Sequence, residues 1–301
     1  MRAAVFDEYG PPGVLRIAEV PDPEPGPGEV LVRVRAAGVQ PFDVAVRRGT
    51  MPWVQARFPQ QSGQEYAGVV EAVGEGVDGP AVGDEVLGST MLNAAAELLT
   101  VPAANVVAKP GGLDFPTAAG LVAASQTASG ALLELDVTAD DVLLVHAGAG
   151  SVGTVAIQLA RLAGATVIGT ASVGNHDHLR RLGAVAVPYG AALIAAVTAT
   201  GLKPTVALDA AGGEAIAQSI ALGIEPRRVG TIVDDRAAAE HGAAVVRAGR
   251  SPARLAEVIA LAAAGKVVMP VRAYPFDDIV AAHTAVESRH GRGKVVLTIS
   301  G

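Results

Sequence analysis

The chain contains no cysteine, which excludes disulfides and thiolate metal sites alike. Aromatic residues make up only 3% of its 301 residues while half are apolar, so Ala, Val, Leu and Ile must build the core. Basic residues are the minority: 23 Lys and Arg against 30 Asp and Glu give a formal charge of −7. That balance argues against a general affinity for nucleic acid or an anionic membrane. No stretch approaches the roughly 18 uninterrupted apolar residues that span a bilayer. The opening MRAAVFDEYG reaches charge too early for a secretory leader. A cytoplasmic protein is the expectation, and the length favours two domains over one oversized core.

What is present changes in texture along the chain. The first hundred residues are rich in turn formers and short β-type runs, Val30–Arg35 and Gly68–Val73 among them. Between these runs PDPEPGPGE (residues 21–29) must be a loop, because proline fixes φ and removes donors. Near residue 115 the pattern shifts to an Ala-rich helix over Leu121–Leu135, followed by alternating strands and helices. Strands are expected at Val142–His146, Thr166–Gly169, Ala186–Tyr189, Val206–Asp209 and Arg228–Val233. Helices are expected at Val152–Leu162, His178–Leu182 and Glu214–Leu222. Such alternation implies right-handed βαβ units and a parallel sheet. Helices at Pro252–Ala264 and Phe276–Ser288 and a strand at Lys294–Ile299 close the chain.

Residues 142–160, VLLVHAGAGSVGTVAIQLA, place a glycine loop between a buried strand and a helix. It is either a tight turn or the cradle of a dinucleotide pyrophosphate, and the strand–loop–helix context favours the cradle. Gly148 would permit the turn, Gly150 would let the pyrophosphate approach, and Gly153 would let the helix pack closely. The amides of Ser151 and Val152 would face the anion at the helix N-terminus. NAD-binding folds usually place a carboxylate about 20 residues beyond this loop. Here the second strand ends Gly169-Thr170-Ala171-Ser172 without one. Ser172, Asn175 and His176 can donate to a 2′-phosphate, and Arg180 or Arg181 can add positive charge, which points to NADPH. Asp177 speaks against it, and His176 and His178 fit a solvated loop or helix start equally well. Ala211 and Val233 follow later strands, where open α/β sheets bind ligands.

These residues and several further fragments resemble the medium-chain dehydrogenase/reductase superfamily, in particular its zinc-free quinone oxidoreductase (zeta-crystallin-like) branch. The fragments are Ala37-Gly38-Val39-Gln40-Pro41-Phe42-Asp43 with Arg48-Gly49, Glu65–Gly74, Gly83–Val86, Gln158-Leu159-Ala160, Leu182-Gly183-Ala184 and Gly293–Leu297. The resemblance implies an α/β fold in which a doubly wound Rossmann domain (119–245) is inserted in a GroES-like β-rich catalytic domain (1–118 and 246–301). It also implies an active site between the two and a homodimer. Zinc-dependent relatives bind the metal through Cys, His and Cys, the His lying in a Gly-His-Glu triplet. This chain has Gly63-Gln64-Glu65 there, and a neutral amide is a poor zinc ligand. His146, His176, His178, His241, His283 and His290 form no metal-ligand pattern.

The chemistry so implied is hydride transfer from NADPH to a quinone or α,β-unsaturated ketone, which needs aligned hydrogen-bond donors more than a Lewis acid. By resemblance Gln40 holds a substrate carbonyl, Thr127 lies near the nicotinamide and Tyr189 near the adenosine. Asp43 either serves the site or caps a helix. The alternative for Thr127 is an ordinary helix hydroxyl bonded to the preceding turn. Tyr66, with Tyr9 and Trp53, either walls an apolar pocket or packs in the core. Two alternatives stand beside this reading. One is a pathway-specific enoyl or ketone reductase whose carrier would dock on Arg47, Arg48 and Arg57. The other is an NADPH-binding sensor or structural protein of low activity.

Overall fold

Val30, Val32 and Val34 alternate with Leu31, Arg33 and Arg35, and this period of two becomes the longest strand, its valines turned into the core. The computed structural model describes residues 1–288 and 291–300. His290 lies outside them. The chain forms two units, one of residues 1–123, 252–265 and 269 onward, the other of residues 124–251 with 266–268.

The first unit opens with β1 (Arg2–Phe6), β2 (Leu15–Glu19), β3 (Glu29–Val39), α1 (Pro41–Arg47) and β4 (Gln60–Gln61). It continues through β5 (Glu65–Val73), β6 (Glu85–Ser89), β7 (Leu98–Pro102) and β8 (Val107–Ala108). Helix α2 (Phe115–Glu134) then carries the chain across the division between Ala123 and Ala124. The division falls later than residue 118 because a single unbroken helix bridges it.

The second unit contains β9 (Val142–Val145), α3 (Ser151–Leu162), β10 (Thr166–Thr170), α4 (His176–Arg181), β11 (Val185–Val187) and α5 (Leu193–Ala199). After these come β12 (Val206–Asp209), α6 (Ala215–Ala221), β13 (Val229–Thr231), α7 (Asp235–His241) and β14 (Ala244–Val245). The chain returns to the first unit with α8 (Pro252–Ala263), β15 (Val271–Pro275), α9 (Ile279–Glu287) and β16 (Lys294–Thr298).

In the first unit β16 pairs antiparallel with the end of β3 at Ala36–Val39, so the last strand completes a sheet begun by the third. The order is β15-β16-β3-β5-β6-β8, with β7 also paired to β3, and β2-β1-β4 forms a smaller sheet. Buried charges join these distant segments. Glu65 and Lys294 pair in the interior, and the second Glu65 oxygen accepts the Ala123 N–H at 2.6 Å. Gly38 is required beside them, because a Cβ there would overlap the Glu65 side chain. Arg47 is fully buried and pairs with Glu287, which also accepts from Arg48 at 2.9 Å.

The second unit is a wholly parallel sheet ordered β11-β10-β9-β12-β13-β14. Renumbered within the unit this is 3-2-1-4-5-6, the Rossmann order, and its topological switch lies between β9 and β12. Leu144, Ile168, Ala207 and Val229 pack with Leu193, Val197, Ile216 and Ala238 from the helices on one face. The Gln158 amide bonds both ways to the Val268 backbone, each at 2.8 Å, which ties residues 266–268 to α3.

Candidate cofactor and substrate sites

The glycine loop takes its shape from three different demands. Gly153 lets α3 lie against the loop, because a Cβ there would sit 2.5 Å from the Ala147 carbonyl oxygen and 2.7 Å from Gly148 Cα. Gly148 donates its N–H to Thr170 O at 2.9 Å, and a Cβ would meet Ile157 and Leu179 at 3.2 Å. At Gly150 the only neighbour of such a Cβ is the Ala147 carbonyl at 3.4 Å. The protein therefore leaves that direction open, and φ −70° would admit any residue. Ala147 itself holds φ +54°, a left-handed conformation that costs a non-glycine residue about 1–2 kcal/mol. The first hydrogen bond of α3 runs from Thr154 N to Gly150 O, and no side chain caps the helix. Ser151, Val152 and Gly153 thus point amides outward without a protein acceptor among the described residues, which suits an oligoanion.

At the sheet end beyond β10, Ser172 is exposed and its hydroxyl accepts from Asn175 Nδ2 at 3.3 Å. The His176 ring already donates from Nε2 to Ala171 O at 3.1 Å, so it is a strut of this loop rather than a free phosphate donor. Arg180 pairs with Asp177 at 2.6 Å, an exposed contact that neutralises the one nearby carboxylate. His178 is buried, its Nε2 3.2 Å from the Thr154 hydroxyl. Tyr189 is exposed just past β11, whose Val187 O accepts from Ala171 N.

The central strands each end on a polar side chain that holds a loop. Thr170 accepts from Ala147 N at 3.2 Å. His146 meets the Ser219 hydroxyl at 2.8 Å, and that hydroxyl donates to Ala215 O, so His146 Nε2 carries the proton. Burial pushes the His146 pKa down to about 4, against a smaller upward pull from Asp209. Ala211 and Val233 lie in the loops after β12 and β13, and Val233 exposes half its surface. Thr127 is half-buried on α2, and its hydroxyl makes no bond back to the preceding turn, unlike that of Ser129.

In the first unit Gln40 precedes α1. Asp43 accepts the Gln40 backbone N–H at 2.9 Å, so Asp43 acts as the helix cap. The Gln40 side chain donates to Gln64 Oε1 at 2.8 Å, and Gln64 Nε2 approaches Met91 Sδ at 3.5 Å. Gln64 is a residue whose partner sequence reading alone did not supply. Tyr66 does not wall a pocket: it is fully buried in the core of the β-rich unit, and burial raises its pKa. The position alternates onto the inner face of β5, where a phenol ring fills volume. Tyr9 accepts from Ala56 N, and exposed Trp53 leans on Phe42 with ring centroids 5.3 Å apart. Arg47 is no docking residue, since it is buried beneath Glu287, which leaves Arg48 and Arg57 at the surface.

Comparison with known proteins agrees with this geometry. Residues 26–111 match the alcohol dehydrogenase GroES-like domain and residues 172–297 the zinc-binding dehydrogenase family. The NADPH-dependent alkenal/one oxidoreductase of Arabidopsis thaliana chloroplasts is 31% identical, over 99% of this chain and 79% of that protein. The chain belongs to the medium-chain dehydrogenase/reductase superfamily, among its quinone oxidoreductase-like members. Within this superfamily the quinone oxidoreductase of Escherichia coli complexed with NADPH superposes with a TM-score of 0.87 at 25% identity, covering 99% of this chain and all of that one. An NAD-dependent alcohol dehydrogenase superposes at 0.89 with 30% identity, each chain covered completely. A pikromycin polyketide synthase component of Streptomyces venezuelae is 35% identical over 94% of this chain, which spans only 8% of that protein.

Zinc, which the matched family's name carries, does not fit the donors present. Cysteine is absent, and the Gln64 amide is occupied by Gln40 and Met91. Among the described residues no three His, Cys, Asp or Glu gather at one point.

Proposed function

We propose that the chain is an NADPH-dependent, zinc-independent reductase of quinones or α,β-unsaturated ketones. The observation that carries this reading is the uncapped start of α3, with an open direction at Gly150 where a pyrophosphate would lie. The lack of a carboxylate closing β10, and the pairing of Asp177 by Arg180, support the 2′-phosphorylated cofactor over NADH. When bound, NADPH supplies hydride from the nicotinamide C4.

The chain's own residues then have separable roles. Amides of Ser151, Val152 and Gly153 donate to the pyrophosphate. Ser172 and Tyr189 border the adenosine end, and Thr127 offers its unbonded hydroxyl on the nicotinamide side. Gln40 donates to the acceptor oxygen on which negative charge develops. Accepting from Gln40 at Oε1, Gln64 fixes that amide and polarises its remaining N–H. Neither amide can lose a proton at neutral pH, so water protonates the reduced product.

Purified protein should oxidise NADPH faster than NADH against a panel of 1,4-quinones and enones, and dialysis against a chelator should leave the rate unchanged. Stoichiometric zinc by elemental analysis, or turnover with NADH alone, would overturn the reading. A second reading, reduction of a carrier-bound enoyl thioester, is favoured by the 35% identity to a polyketide synthase component. Faster turnover of an enoyl N-acetylcysteamine thioester than of any quinone would select it.

A further inference from the structure

The contact between Gln40 and Gln64 continues to a sulfur. Gln64 Nε2 lies 3.5 Å from Met91 Sδ, so two amides and a thioether form a chain within the β-rich unit. Backbone bonds on either side hold Met91 in place: Thr90 N donates to Gln64 O at 2.8 Å, and Ala94 N to Gly63 O at 3.1 Å. A thioether accepts a hydrogen bond and cannot donate one. Met91 therefore draws the Gln64 amide nitrogen toward itself and leaves Oε1 to receive the Gln40 N–H. The sulfur sets the direction in which the chain of amides runs.

That sulfur is also the one an oxidant meets first. Cysteine is absent, and the chain has four methionines. Met91 exposes 57% of its surface, whereas Met269 is buried and Met1 and Met51 are partly buried. Oxidation turns an apolar thioether into a polar sulfoxide. Building on the reductase reading above, in which Gln40 faces the acceptor oxygen, we propose that Met91 is an oxidation site for hydrogen peroxide whose sulfoxide lowers turnover. One peroxide oxygen bonds to Sδ as the O–O bond breaks; sulfur gives up two electrons, and the other oxygen leaves as water. The sulfoxide at this exposed position turns toward solvent. Buried Gln64 then loses the acceptor that fixed its amide, and Gln40 loses its orientation.

The test treats wild-type protein with hydrogen peroxide and locates the added oxygen by peptide mass spectrometry. Met91 should be converted before Met1, Met51 and Met269. With Met91 oxidised, kcat/KM for the quinone or enone should fall about fivefold, the scale of one modest hydrogen bond, while NADPH affinity stays within about twofold. Methionine sulfoxide reductase should restore the rate, a readout that needs no variant. Met91→Leu should start at the oxidised rate and lose nothing further on treatment. Earlier oxidation of another methionine, or an oxidised Met91 with an unchanged acceptor rate, would overturn the proposal while leaving the reductase reading intact. Untreated protein that reduces no acceptor would overturn both.

Discussion

Arg47 meets Glu287 across 240 residues of chain, whereas Asp209 meets Thr231 across 22. The β-rich unit is assembled from separate stretches of sequence, and its buried charges, Glu65 with Lys294 and Arg47 with Glu287, join the early stretch to the late one. The Rossmann unit is nearly continuous, and its buried polar groups satisfy backbone amides and hydroxyls at the carboxyl ends of strands. In the first unit buried polarity holds separate chain segments together. In the second it holds the loops that follow the strands.

The largest break in this contrast should come from Lys294→Met. It strands a buried Glu65 with one amide donor, and a loss of about 3–5 kcal/mol is expected in the denaturant unfolding of the first unit. Replacing Glu65 by Met as well should recover most of it. A loss below about 1 kcal/mol would mean that the pair does not hold the segments.

Acid should separate the units next. Burial, reinforced by Arg47, lowers the His283 pKa to about 3, and burial lowers that of His146 to about 4. The unfolded chain takes up these protons near pH 6.5 and the folded chain only near 3–4. Stability is therefore complete above about pH 6.5. It falls by about 1.4 kcal/mol per pH unit for each histidine as the solution is acidified, and levels off below the folded values. His283→Gln should flatten the slope of the first unit and His146→Gln that of the second, as read by denaturation at several pH values. A slope indifferent to both substitutions would contradict their burial as neutral rings.

Gly153→Ala sharpens the comparison within the second unit. The added methyl meets the Ala147 carbonyl, so a loss of about 1–3 kcal/mol is expected there, with the first unit unaffected. Arg180→Ala, which breaks an exposed pair, should change stability by less than about 0.5 kcal/mol.

The second unit was the more legible in the sequence because its signals are local. The glycine loop and the apolar β9, β10 and β12 lie within short windows, and their ends differ from expectation by a residue or so. Helix α7 was not read because only Ala237 and Ala238 of its seven residues are buried. Its signals were nonetheless present: Asp234 caps it through Ala237 N, and Gly242 ends it at φ +69°. Among the described residues strand β15 pairs only with β16, and it shows no burial alternation, so period-two reading passes over it. In the first unit no local pattern places Lys294 beside Glu65, or Gln64 on Gln40, since those contacts exist only once the strands have paired. The choice for Tyr66 between pocket wall and core is open in the sequence for a related reason: scarcity of aromatics marks a residue as notable without saying which face of a strand it occupies.

The most direct measurement is calorimetric titration of NADPH into wild-type protein and Gly150→Val, with the thermal midpoint of each. A Cβ at this position meets only the Ala147 carbonyl oxygen, at 3.4 Å, and needs no unusual φ, so the midpoint should change little. Affinity should fall about 100-fold or more, the scale of two lost hydrogen bonds to a charged group. Undiminished NADPH binding in the folded variant would contradict the assignment of this loop as the cofactor's cradle.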